Sequence, residues 1–204
     1  MYPNIKFILG WLLALVGIIV ASPILLIVAL AIKLEDPKGP VLFKQKRVGK
    51  DKVLFNIYKF RSMYVETPDI PTHLLTDPNQ FITKTGRILR KTSLDELPQL
   101  FNILKGEMSF VGPRPALWSQ DDLIALRDEH QANNVRPGIT GLAQVSGRDE
   151  LALDVKATFD GEYVKTMSLW LDIKLLFRTV KSVFKSEGVV EGGSSTTGVK
   201  ETSR

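Results

Sequence analysis

Apolar positions are unevenly spread along the chain, and the largest block comes first. Phe7 to Ile32 runs 26 residues without a charge, long enough for a membrane segment. Ser22-Pro23 lies inside it. Proline removes one backbone donor and clashes with the preceding turn, so the pattern predicts a kinked or broken helix in pieces of 16 and 10 residues. Such pieces rise roughly 24 and 15 Å, and neither alone crosses a hydrocarbon core of about 30 Å. Two topologies stay open. A kinked helix spans with tilt, or a broken one enters and leaves by the same face, the Ser22 hydroxyl capping freed backbone groups. Lys6 precedes the run and Lys33 and Lys38 follow it, so flanking charge gives no reason to send the N-terminus across. A cleaved signal peptide fits less well, because the run exceeds a typical h-region and Ala21-Ser22 is followed by proline.

After the apolar block the period changes. Val41–Phe43 and Val53–Phe60, separated by Val48-Gly49-Lys50-Asp51, read as a short β-hairpin. Residues 64–80, with Pro68, Pro71 and Pro78, read as a loop. Helices are expected at about 81–91, 94–105, 120–131, 151–165 and 169–185. In the last, Ile173, Leu176, Phe177, Val180, Val183 and Phe184 form an apolar face opposite Lys174, Arg178, Lys181 and Lys185, suited to core packing or to a membrane interface. Ser186–Arg204 is rich in Gly, Ser and Thr and reads as disordered. The predicted fold is α+β and mainly helical: a membrane helix over 1–33 broken at Ser22-Pro23, a compact helical domain with a short β-hairpin over 34–187, and a disordered tail over 188–204.

Composition narrows the chemistry. The 204 residues include no cysteine, 44% apolar residues and 27 Lys plus Arg against 22 Asp plus Glu, which argues against a disulfide scaffold, a Cys-ligated metal and wholesale disorder. The absence of cysteine agrees with a cytoplasmic catalytic side. His73 and His130 stand without an H-E-x-x-H pattern, and there is no G-x-S-x-G, so carboxylates, Lys and Arg must carry any reaction. Residues 33–65 hold nine basic and three acidic side chains, and this local +6 exceeds the +5 of the whole chain. Beside a membrane segment such a cluster suits anionic headgroups or an anionic ligand. It also suits an ordinary juxtamembrane flank; nucleic acid is not expected, since no recognition motif accompanies the charge.

Three segments stand out. Ser93-Leu94-Asp95-Glu96-Leu97-Pro98-Gln99-Leu100 fits an S-x-x-E capping box, which would set Asp95 and Glu96 in a first helical turn where free N–H groups keep both ionised. An ionised Asp can attack phosphorus or hold Mg²⁺, and a neighbouring Glu can share the metal or manage a proton; acidic residues are also common at plain helix starts. Pro98 sits awkwardly near that start and could shift it. Gly112-Pro113-Arg114-Pro115 fixes one arginine in a stiff backbone suited to bidentate phosphate contact. Arg136-Pro137-Gly138-Ile139-Thr140-Gly141-Leu142-Ala143-Gln144-Val145-Ser146-Gly147-Arg148 joins arginine to Gly-rich backbone that can approach a ligand closely. A carboxylate pair, stiff arginine loops and a membrane segment together suggest phosphoryl chemistry on a lipid-borne substrate.

With Tyr58-Lys59-Phe60-Arg61-Ser62-Met63 added, four such stretches in this order resemble the bacterial sugar transferases, the monotopic phosphoglycosyl transferases. The resemblance runs from Ser22-Pro23 to about Gly188 and includes Asp160, Tyr163 and Asp172. It implies transfer of a sugar 1-phosphate from a UDP-sugar to undecaprenyl phosphate or another polyprenol phosphate, releasing UMP, as the first membrane step of O-antigen, capsule, exopolysaccharide or glycoprotein synthesis at the cytoplasmic face of a bacterial inner membrane. It implies Asp95 as nucleophile through a phosphosugar-aspartyl intermediate, Glu96 assisting, and Mg²⁺ near Asp95 and Glu96. Lys59, Arg114, Arg136, Gln144, Arg148, Asp160, Tyr163 and Asp172 are implied as substrate-binding, Arg114 on the uridine nucleotide side and Arg148 at a phosphate. It also implies that the Ser22-Pro23 break is re-entrant, with both ends cytoplasmic and inner-membrane lipid around it. One departure is the absence of a Lys-Arg pair and Asp before the apolar run, which bears on how the N-terminus is anchored. No further N-terminal membrane domain is visible, and this resembles the small members that often act on N-acetylated UDP-sugars. Two other classes compete: a membrane-tethered phosphate-binding protein without turnover, and a glycosyltransferase that releases UDP.

Overall fold

A computed structural model describes residues 2–68, 77–147 and 151–185. His73, Arg148 and the expected tail at 186–204 lie outside them. The described chain is mainly helical, with one β-hairpin and one pair of three-residue strands.

Helix α1 spans Tyr2–Glu35 and runs uninterrupted through Pro23, so the expected division into two helices is not seen. Ser22 explains how the chain tolerates the proline. Pro23 has no N–H to offer the carbonyl of Ile19, one turn back, and the Ser22 hydroxyl donates to that carbonyl at 2.8 Å. One side of α1 packs on the folded domain along much of its length. Ala14 is buried with Phe55, Ile57, Leu100 and Ile103, and Val28 and Ile32 are buried with Phe60 and Leu89. The other side leaves Val16, Ile19, Val20, Leu26, Ile27 and Leu30 exposed, Leu26 at 72%. An apolar face of that size without protein cover is costly in water.

Both ends of α1 are pinned to the same body. At the start, Lys6 Nζ lies 2.9 Å from Asp172, Tyr2 donates to the same carboxylate at 2.5 Å, and Trp11 Nε1 donates to Leu104 O at 3.1 Å. At the finish, Arg61 grips Asp36 through its carboxylate and its carbonyl, at 2.7 and 2.6 Å. Glu35 accepts the backbone N–H groups of Lys84 and Thr85, at 2.7 and 2.9 Å. Those donors open helix α2, Lys84–Thr92, whose first turn favours a carboxylate.

The hairpin joins β1, Leu42–Val48, to β2, Leu54–Phe60, with Leu42 opposite Phe60 and Val48 opposite Leu54. β1 continues past the predicted Val41–Phe43 through the polar run Lys44–Arg47 to Val48, because the opposite strand supplies its backbone partners and long side chains keep their charge at the surface. Helix α3, Gln99–Leu104, is tied to β2 by fully buried Asn102. Its amide donates to Asn56 O at 2.7 Å and its oxygen accepts Tyr58 N–H at 3.0 Å, so the edge of β2 is hydrogen-bonded as if by another strand.

Beyond α3, strands β3, Ser109–Val111, and β4, Gly138–Thr140, pair in parallel. Such pairing needs a long crossover, and helix α4, Asp121–Glu129, lies in it. Neither strand was predicted, since three residues carry no readable alternation. Their backbones come so close that a Cβ on Gly138 would sit 2.1 Å from Gly112 N, and one on Gly112 would sit 2.6 Å from Arg136 O. The glycines therefore seat the two motifs against each other. Helix α5, Leu142–Ser146, occupies what read as loop. Helices α6, Leu153–Thr166, and α7, Leu169–Lys185, follow as expected. On α7, Leu175 is buried and Asp172 nearly so, while Phe177 and Val180 are exposed; the face that packs is thus rotated from the predicted apolar one toward the residues that meet Tyr163 and Val111.

Arg127 on α4 donates to Asp160 on α6 from Nε at 2.8 Å and Nη2 at 2.5 Å, with Asp160 only 1% exposed. Removing one partner strands a buried charge. Arg127→Met should lower unfolding stability by about 3–5 kcal/mol, and Arg127→Met with Asp160→Leu should recover much of that loss, both read by unfolding in detergent.

Candidate active site

Asp95 and Glu96 lie in a single 3₁₀ turn, Leu94–Glu96, between α2 and α3. The expected capping box is absent. Ser93 has φ 56° and ψ 17° and closes α2, its N–H directed to the carbonyls of Arg90 and Leu89, with no side-chain cap bond to the next turn. Pro98 offers no N–H to the carbonyl of Leu94, so the turn tightens, Leu97 N–H bonding Leu94 O at 3.2 Å, and α3 begins only at Gln99. A three-residue turn has little macrodipole, so the two carboxylates owe their state to neighbouring side chains instead.

Glu96 is the hub. Lys59 Nζ from β2 lies 2.7 Å from its Oε1, and Arg114 Nη2 from the Gly112–Pro115 segment lies 2.9 Å from the same oxygen. Burial alone would raise this carboxyl, but Arg114 and Lys59 outweigh it and hold Glu96 far below the usual carboxylate range. Asp95 goes the other way. Burial pushes it up and the Glu96 charge adds to that, against the opposing pull of Lys59, Arg90 and Arg114. Lys59 Nζ stands 3.9 Å from Asp95 Oδ2. The expectation that the helix start keeps both acids ionised is therefore replaced by an unequal pair, a firmly ionised Glu96 beside an Asp95 that depends on its cations.

Two more arginines, not among the predicted site residues, belong here. Arg90, on α2, donates from Nε to Ser62 Oγ at 3.0 Å and acts on Asp95. Arg47, on β1, donates to Pro115 O at 3.0 Å and to Gln45 Oε1 at 2.6 Å. Burial first, then the charge of Arg114, brings its guanidinium down to about 10, opposed by Glu96. Strand parity carried the signal for Arg47. Phe43 pairs Lys59 and Arg47 pairs Phe55, and directly opposite residues share a face, so Arg47 and Lys59 point to the same side once β1 is extended to Val48. Val48 N–H also bonds Ala116 O at 2.9 Å, stapling the arginine loop to the hairpin.

The other expected site residues lie apart from this cluster. Asp160 is paired with Arg127. Tyr163, 1% exposed, donates to Asp172 at 2.6 Å, and burial, then the Asp172 charge, pushes its hydroxyl far up. Asp172 also holds Lys6. Arg136 donates to Gly106 O at 2.8 Å and stacks on Phe7, 4.3 Å from the ring centre. Gln144 on α5 keeps both amide atoms buried without a hydrogen bond. Together Asp160, Tyr163 and Asp172 anchor α4, α1 and α7 to α6.

As for Mg²⁺, no group of three or more acidic or His residues able to hold a metal occurs among the described residues. Two adjacent carboxylates nevertheless supply hard oxygens of the kind Mg²⁺ takes alongside substrate phosphates and water, so Asp95 and Glu96 fit a metal that arrives with a phosphate ligand.

The family model of the bacterial sugar transferases matches residues 1–186. The chain is 43% identical over 187 residues to the undecaprenyl-phosphate galactose phosphotransferase of Salmonella typhimurium, covering 84% of this chain and 38% of that protein. It is 40% identical over 195 residues to a UDP-N-acetylgalactosamine-undecaprenyl-phosphate N-acetylgalactosaminephosphotransferase of Aeromonas hydrophila, 92% of this chain and 45% of that one. To the sugar transferase EpsL of Bacillus subtilis it is 42% identical over 180 residues, 87% of each chain. The chain thus spans less than half the length of the first two and most of the third. A model matched over nearly the whole chain, with a relative of similar size at this identity, shows that the protein belongs to the bacterial sugar transferase family.

Proposed function

We propose that the protein moves a sugar 1-phosphate from a UDP-sugar to a polyprenol phosphate such as undecaprenyl phosphate, with Asp95 as nucleophile. The observation that carries this reading is the ionised Glu96 clamped by Lys59 and Arg114 directly beside Asp95. In the first step an Asp95 oxygen attacks the β-phosphorus, the bond from that phosphorus to the bridging oxygen breaks, and UMP leaves with the electron pair. In the second, a phosphate oxygen of the polyprenol attacks the same phosphorus and releases Asp95. Both steps concentrate negative charge at one phosphorus, and preorganised cations are the usual means of stabilising it. Arg114 and Arg47 suit the nucleotide diphosphate, while Lys59 lies within reach of Asp95 itself. Bound Mg²⁺ would neutralise part of the diphosphate charge.

The relatives named above are called after galactose and N-acetylgalactosamine; an N-acetylated UDP-sugar is our proposed donor for this chain. With both ends of α1 fixed to one domain, we further propose that α1 enters and leaves the membrane by the same face, leaving the catalytic domain on the cytoplasmic side.

Given Mg²⁺, undecaprenyl phosphate and a panel of UDP-sugars, the detergent-solubilised protein should release UMP. Asp95→Asn should lower that release by at least about 10³-fold and Glu96→Gln by about 10². UDP as product, or full turnover by Asp95→Asn, would sink the covalent phosphosugar mechanism. The chain has no cysteine, so single cysteines at Asn4 and at Lys38 report topology cleanly. A membrane-impermeant maleimide should label both from the cytoplasmic side only, whereas labelling of Asn4 from the opposite side would mean that α1 spans.

A further inference from the structure

At the opposite end of α1 from the carboxylates lies a cavity of about 260 Å³, whose lining includes Lys6, Phe7, Lys50, Val135, Arg136 and Met167. It shares no lining residue with the cluster of Lys59, Asp95, Glu96 and Arg114, although Val135 lines both it and the small hollow beside Arg114. Leu94 and Leu97, which flank Asp95 and Glu96, pack with Val28 and Ile32, at the other end of α1 from Lys6 and Phe7. No Asp or Glu lines the cavity, while three cations do. Lys6 is matched by Asp172 behind it at 2.9 Å, and Lys50 stands 3.6 Å from Asp51 with its side chain 48% exposed. Arg136 spends Nε on Gly106 O and stacks on Phe7, and among the described residues no carboxylate pairs with it.

A guanidinium is a planar fork able to bind two oxygens of a phosphate, and that of Arg136 lies 4.3 Å over the Phe7 ring centre. Here that plane lines a largely apolar hollow, closed on one side by a helix whose neighbouring residues Ile5, Ile8, Leu9 and Leu12 are exposed. Cationic rim, apolar wall and an uncovered apolar helix face together match an amphiphile with an anionic head. A soluble anion would leave the walls of Phe7 and Met167 unused, and a neutral lipid would leave Arg136 uncompensated. We propose that this cavity binds the phosphate headgroup and first acyl carbons of an anionic phospholipid, at a site distinct from that of the transferred phosphosugar.

The test uses the purified full chain in neutral detergent and native mass spectrometry with phosphatidylglycerol, phosphatidylcholine or inorganic phosphate. Phosphatidylglycerol should be retained about tenfold better than phosphatidylcholine, and Lys50→Glu and Arg136→Gln should each weaken it several-fold, together about tenfold or more. Lys38→Gln with Lys91→Gln, which changes the net charge by the same two units as Lys50→Glu but elsewhere, should leave retention unchanged, as should Asp95→Asn, which separates this site from the catalytic one. Lys50→Glu alters an exposed side chain, so its result stands even where Arg136→Gln proves unstable. Equal retention of the two lipids, equal loss in the charge-matched control, or displacement of phosphatidylglycerol by millimolar inorganic phosphate would overturn the proposal.

Discussion

Much of the domain converges on one oxygen. Glu96 Oε1 receives Lys59 from β2 and Arg114 from the loop after β3, so three stretches far apart in sequence are fixed around a single partly buried charge. The favourable part is a pair of charge-assisted contacts; the unfavourable part is the partial desolvation of Lys59 and Glu96, while the Arg114 side chain stays 43% exposed. Neither a hydrophobic pair nor a single salt bridge would hold these segments so specifically, because each cation needs the carboxylate and the carboxylate needs both to offset burial. Asn102 reinforces the arrangement by locking α3 to β2 one turn further on.

Around that centre the supporting contacts are arranged in tiers. The glycine-mediated approach of β3 and β4 aligns the Arg114 loop with the Arg136 loop, and β1 then staples the former through Arg47 and Val48. The Asp160, Tyr163 and Asp172 pairs do a different task, binding the outer helices and the first residues of α1 to the core. Polar side chains that resemble ligands by sequence thus divide into those that meet at the carboxylates and those that hold the frame.

What could be read from sequence follows from the range of the forces involved. The hairpin, α2, α4, α6 and α7 rest on local periodicity, and that periodicity was visible. The Ser93–Glu96 capping pattern misled because a local motif competes poorly with two cations brought in from elsewhere, and because Ser93 was needed in a left-handed conformation to end α2. Strands β3 and β4 are too short for alternation to speak, and they exist through each other. Arg47 was read only as part of the basic cluster over 33–65, because its place beside Arg114 depends on how far β1 extends. For the proline, the sequence pointed to the right residues and to the wrong outcome: Ser22 does repair the orphaned carbonyl, and by repairing it keeps the helix continuous.

The Glu35 contact with α2 has a mechanical meaning. A carboxylate at the last turn of α1 holds the first N–H groups of a helix whose other end leads into Ser93 and the turn of Asp95 and Glu96. Those elements form a short rigid strut. Because that strut joins the last turn of α1 to the turn that carries Asp95 and Glu96, a shift of α1 along its own axis would be passed to the two carboxylates directly, and the long apolar helix works as a lever on the site.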